Sequence, residues 1–248
     1  MPLELSWIAL IIGWLAGCIV NYLADVLPRT RRLSKVACPH CGRNPSFGDY
    51  VFFKRCKNCH RRQFLRNWIV QAIYCLAAFI LWLYPPSRLG YWTGLCLLIY
   101  LGSIFVIDVE YRVVLNQMTV AGIILSIGIG SFLHGFLNTL IGGAAGFGTM
   151  LVLYYIGAFY ARWMGRRRGE TFDDDALGFG DVNLSGIIGL LLGWPGVFAG
   201  LFAAIILGGF VSLIILIVLI ITHRYKTFAA IPYAPFLVIG TVLLLYIR

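Results

Sequence analysis

Apolar residues run along this chain in long blocks, without the short alternation of a soluble domain. Eight blocks stand out, at residues 6–27, 67–84, 91–108, 117–134, 137–161, 182–195, 197–221 and 228–247. A helix needs about 20 mostly apolar residues to cross a bilayer. Backbone in lipid must satisfy its own hydrogen bonds, so each block predicts a helix. No two-residue alternation of a membrane β-barrel is visible. The expected fold is an all-α membrane protein of about eight transmembrane helices, the short sixth block being the weakest. The first block lacks a small-residue cleavage site, so it is expected to remain as a helix and not to leave as a signal peptide.

Polar positions gather between the blocks. The largest polar stretch, 28–66, divides the chain into a first transmembrane helix (1–27), a small cytoplasmic insert (28–66) and a transmembrane bundle (67–248). Residues 165–176, GRRRGETFDDDA, predict a polar loop. Composition agrees with the block pattern: 60% of residues are hydrophobic and 12% charged, against about 25% charged in a soluble domain. Small-residue runs such as GGAAGFG at 142–148 permit close helix approach.

Charge placement adds an orientation. Eleven Lys/Arg lie in 28–66, four in 162–168, and Arg112, Arg224 and Lys226 in two further loops. With eight spans these loops share one side, and only Arg88 and Arg248 fall on the other. Cytoplasmic loops are the ones rich in Lys and Arg, so both termini are expected outside. The basic residues then serve topology and contact with the lipid bilayer. No basic–aromatic pattern points to nucleic acid.

The insert is too small for a core of its own and needs a staple. It carries CPHC (Cys38, Cys41) and CKNC (Cys56, Cys59), the spacing of a four-thiolate structural zinc site. Disulfides or free thiols are the alternative, and a reducing cytoplasm disfavours the first. His40 and His60 adjoin the cysteines. Cys18, Cys75 and Cys96 lie in the blocks and read as packing residues.

Ten acids exist in the whole chain. Glu4, Asp25, Asp49, Glu170 and Asp173–Asp175 read as terminal or loop positions, and the Asp173–Asp175 run as a solvated loop. Asp108 closes the third block and Asp181 opens the sixth, with membrane-length hydrophobicity directly after it. Acids at a membrane boundary are costly and mark functional sites. Two facing carboxyls cannot both ionise, so they share a proton and can activate a water. Gly178 and Gly180 would let a substrate strand or a neighbouring helix approach. An ion or proton pathway, and plain helix-end acids favoured by the dipole, remain open on these residues alone.

The order of motifs narrows the choice. GCIVNYLADVLPR (17–29), CPHCG with KRCKNC, IDVEYRVVLNQMT (107–119), GFGDVNL (178–184) and IPYAPFL (231–237) together resemble the type 4 prepilin peptidases, a GxGD membrane aspartyl protease family. The resemblance covers nearly the whole chain. It implies that Asp108 and Asp181 are the catalytic pair. It also implies that the substrate is a prepilin or pseudopilin, whose basic leader is cut after a glycine at the cytoplasmic membrane face, and that the cysteines form a zinc ribbon. Many members also methylate the new N-terminus with S-adenosylmethionine, an activity tied to the cysteine region. Leu115 stands where the family has proline and Asn183 where it has lysine. The stretch between the two CxxC pairs is shorter than usual. Glu110, Glu170 and Asp173–Asp175 could attract a basic leader. A proton-coupled transporter using Asp108 and Asp181 as a relay is the rival from another class; it would show internal repeats and midplane acids.

Overall fold

The computed structural model describes residues 6–38, 41–59, 65–168, 178–222 and 233–246. Among them all regular structure is helical: α1 (Ser6–Thr30), α2 (Phe47–Val51), α3 (Leu65–Leu83), α4 (Gly90–Tyr111), α5 (Asn116–His134), α6 (Phe136–Arg168), α7 (Phe179–Leu192), α8 (Gly196–Ile221) and α9 (Ala234–Tyr246). Each expected block contains a helix among its described residues. Six are long and apolar enough to cross a membrane: α1, α3, α4, α5, the Phe136–Tyr160 part of α6, and α8. The other two, α7 and α9, are shorter apolar helices.

Several boundaries move. Residues 165–168 continue α6 and are not loop, because arginines propagate a helix as readily as apolar residues do. Asp25 lies inside α1, which runs on through Pro28 to Thr30. Asp108 stands a turn before the end of α4, and α2 lies within the insert.

Two compact units divide the chain between Ile107 and Asp108, within α4. In the first, α1 and α3 pack antiparallel. Gly13 faces Cys75 and Gly17 faces Gln71, and a Cβ at either would come within 2.7–2.8 Å of those neighbours. Buried Asn21, Asn67 and Gln71 line the same seam. The Asn21 amide donates to the Asn67 carbonyl at 3.2 Å and Gln71 donates to the Trp14 carbonyl. Gly102 of α4 makes room for the Tyr74 hydroxyl, which donates to the Leu98 carbonyl at 2.6 Å.

In the second unit α7 lies at the centre. Eleven of its fourteen residues are buried, packed by α5, α6, α8 and α9. Glycines make this possible: Gly142 and Gly189 each present a backbone carbonyl where a Cβ of the other would sit, and the Ser185 carbonyl does the same toward Gly146. Fourteen residues span about 21 Å, less than a bilayer's hydrocarbon core of about 30 Å. A helix wrapped on all sides by others can be that short.

Candidate active site and cysteine cluster

The second unit holds both acids that the sequence singles out. Asp108 is buried at the end of α4, and its Oδ2 meets no hydrogen-bond partner among the described residues. After Tyr111 the chain reverses at Arg112, whose φ of 54° is left-handed. Its N–H donates to the Asp108 carbonyl at 2.9 Å, closing the helix. A left-handed non-glycine residue costs about 1 kcal/mol, so packing beyond the turn has to hold it. Val114 supplies that packing, seated against Gly180: a Cβ on Gly180 would lie 2.8 Å from the Val114 Cβ. Gly180 therefore admits this chain's own α4–α5 turn.

Asp181 occupies the first turn of α7, three residues after the capping residue Gly178. The Gly178 backbone amide bonds to the Asp181 carboxylate, the reach-back half of a capping box. Its other half is absent, because glycine has no side chain to return the bond. The Ser185 hydroxyl donates to the Asp181 carbonyl at 2.7 Å. The Phe179 ring meets Tyr154 of α6 edge-on at 6.0 Å, fixing the start of α7. Among the described residues the space beside Gly178 is open: a Cβ there would meet only Asp181 Oδ2 and a backbone nitrogen within 4 Å.

The two carboxyls are within electrostatic reach of one another. Arg112 acts on Asp108 from the turn, and among the described residues no ion pair closes on either acid. Two buried carboxyls without a neutralising partner are suited to holding a water and passing a proton. Glu110 is exposed on the same turn of α4 as Asp108. Glu170, Asp173–Asp175, His40 and His60 lie outside the described residues.

One neighbour is not singled out by the sequence. Tyr233, at the start of α9, is within electrostatic reach of Asp181. Its ring packs over Gly208 of α8 beside Phe236. The signal is present in IPYAPFL as a lone hydroxyl at the mouth of an apolar helix.

The first unit brings the four insert cysteines together, all four sulfurs within 4.8 Å of each other. Cys38 pairs with Cys59 at 3.7 Å and Cys41 with Cys56 at 3.6 Å. A tetrahedral zinc with Zn–S of about 2.3 Å places its sulfurs about 3.8 Å apart, whereas a disulfide needs about 2.05 Å. No disulfide joins the four cysteines, and their sulfurs form a metal-sized cage. Gly42, at φ 71°, makes the first knuckle turn, donating to the Cys38 carbonyl at 2.9 Å. In the second knuckle the N–H groups of Cys59 and Asn58 hold the Cys56 thiol down at about 6. A thiol so favoured as thiolate is a ready metal ligand.

A polar cluster anchors the insert. The Tyr50 hydroxyl donates to Asp25 at 2.8 Å, and Arg66 pairs with the same carboxylate. Arg66 also donates to the Asn67 side chain at 2.8 Å. Burial, then the neighbouring Asp25, push the Tyr50 hydroxyl far above the usual tyrosine range, so it remains a donor at any physiological pH.

Residues 92–213 match the model of the type IV leader peptidase family. That segment contains Asp108, Glu110, Gly178, Gly180 and Asp181. No curated protein and no solved structure matches the chain.

Proposed function

We propose, from the premise that the chain belongs to the type IV leader peptidase family, that it is a membrane aspartyl endopeptidase with Asp108 and Asp181 as its catalytic pair. The observation that carries this reading is the meeting, within one compact unit, of two buried acids from the ends of α4 and α7. One carboxylate takes a proton from a water held between the two. The water oxygen attacks the scissile carbonyl carbon, and the protonated carboxyl gives its proton to the carbonyl oxygen. Collapse of the tetrahedral intermediate returns a proton to the leaving amine and restores the pair. Open space beside Gly178 and the exposed Glu110 support a substrate path there, whereas Gly180 is taken up by Val114.

The substrate on this reading is a prepilin or pseudopilin, cut after glycine where its basic leader meets the membrane. The chain sits in the inner membrane with eight spans, both termini outside and the pair at the cytoplasmic face. The excess of basic residues in alternate loops supports that orientation. The insert 28–66 is a structural zinc module held by Cys38, Cys41, Cys56 and Cys59, and the 67–248 bundle carries the chemistry. When bound, zinc would tie two chain turns into one cross-link. Methyl transfer from S-adenosylmethionine rests on the resemblance alone, since no described residue marks a site for that cofactor.

The test is cleavage of a prepilin in liposomes by wild type, Asp108→Ala and Asp181→Ala, read by substrate mass. Cutting after a glycine by wild type, with both variants folded and inactive, is the expected result. Wild-type inactivity, or an active variant, would discard the pair and bring the proton relay forward. Metal analysis of intact protein is expected to find one zinc per chain, and S-adenosylmethionine added to the cleavage reaction tests methylation of the new N-terminus.

A further inference from the structure

The turn after α2 carries four residues of contrasting fate, Phe52, Phe53, Lys54 and Arg55. Phe53 is 7% exposed although it lies outside the membrane-length helices. Its φ of 51° is left-handed, an outlier for a bulky aromatic that persists only when its surroundings fix it. They do: its ring lies 5.1 Å from Trp68 of α3 and 5.8 Å from Trp14 of α1, and the two tryptophans meet each other at 6.5 Å. Tyr50, one turn earlier, is tied to Asp25.

These contacts set a depth. The Asp25–Arg66 pair marks the polar end of the antiparallel α1–α3 pair. Trp14 lies eleven residues before Asp25 on α1, about 16 Å along the axis, and Trp68 comes after Arg66 in α3. Phe53 therefore sits on the hydrocarbon side of the charged level, against the flank of the helix pair. Its neighbour Phe52 is 64% exposed, and Leu65 and Trp68 in the first turn of α3 are 75% and 51% exposed. Lys54 and Arg55, also exposed, are next along the chain.

We infer that the Phe52–Arg55 turn is a re-entrant anchor that binds anionic phospholipid. Phe52 enters the boundary between acyl chains and headgroups, where aromatic residues are favoured. Lys54 and Arg55 reach back along their aliphatic stems to the phosphates. Charge complementarity and continuity with the exposed flanks of α1 and α3 select lipid over a protein occupant. The inference needs only that α1 and α3 span the bilayer and is independent of whether the chain cleaves anything.

The test uses the full chain in nanodiscs of mixed phosphatidylglycerol and phosphatidylcholine, with photoreactive benzoylphenylalanine at position 52 or, as control, at the exposed Arg43. The expected result is lipid adducts from position 52, enriched in phosphatidylglycerol, and a near absence of them from position 43. Adding Lys54→Glu and Arg55→Glu should remove the enrichment while leaving phosphatidylcholine adducts. Equal lipid yield at both positions, or adducts from position 52 to protein in place of lipid, would overturn the anchor. Enrichment that survives both charge reversals would overturn the role of Lys54 and Arg55.

Discussion

Two consecutive helices of one unit, α7 and α8, are both strongly apolar and have opposite environments. In α7 eleven of fourteen residues are buried; in α8 only Val197, Gly200, Leu201, Ala204 and Gly208 of twenty-six are. Most of the long helix lies outside the packing of the described residues, a surface suited to lipid, and the short one meets other helices. Lipid tails are as apolar as leucine, so α8 gains little by packing and is free to be long and uniform. In contrast, α7 is held by close backbone contact, which requires glycine on both sides of its seam with α6. Hydrophobicity alone does not separate these roles; length and glycine spacing do. The acid is carried by the helix that is fixed on all sides, where a side chain can be positioned.

That contrast can be tested by substitution. The largest effect is expected for Asp181→Asn, which keeps volume and an acceptor for the Gly178 amide but removes the acid: cleavage should fall by on the order of 10⁴-fold with the fold intact. A variant retaining near wild-type turnover would reduce Asp181 to a cap. Next is Leu184→Ala, at a fully buried α7 position, expected to cost about 2–5 kcal/mol. Ile206→Ala, on the exposed face of α8, should stay within about 0.5 kcal/mol; denaturation in one detergent compares the two. Gly189→Ala drives a methyl into the Gly142 carbonyl and is expected to lower stability by about 1–3 kcal/mol. Gly209→Ala meets nothing within 4 Å and should be neutral or slightly stabilising. Equal losses at the two glycines would erase the distinction. On turnover, a smaller effect than that of Asp181→Asn is expected for Tyr233→Phe, which deletes one hydroxyl near Asp181: up to about tenfold, the scale of one hydrogen bond, with a changed pH profile. An unchanged profile would leave Tyr233 as packing alone.

Much of this is legible in the sequence, for identifiable reasons. Apolar blocks mark helices because the bilayer forbids alternatives, and each of the eight blocks holds a helix among its described residues. Their ends are less legible. The sixth block begins at Val182 by hydrophobicity, but the helix begins at Phe179, because backbone capping at Gly178 leaves no apolar trace. The paired CxxC spacing locates the cysteine cluster, since ligand spacing is local. Asp108 and Asp181, 73 positions apart, are legible as scarce acids at block edges; that they approach each other depends on Val114 fitting Gly180, a tertiary fact. Asp25 reads as a loop residue because its partners, Tyr50 and Arg66, are distant in sequence. Tyr233 escapes because aromatic residues are common at helix mouths.

The burial of the Asp108 carboxylate, whose Oδ2 meets no partner among the described residues, has a consequence for any small molecule that enters there. In most binding sites a polar contact first has to strip water from both partners, and much of its strength is lost in doing so. Here burial has already taken one partner out of bulk water. A small molecule that places a single matching polar group at that oxygen would gain affinity out of proportion to its size, and Asp108→Ala would be the natural resistance mutation, bought only at the loss of the acid itself.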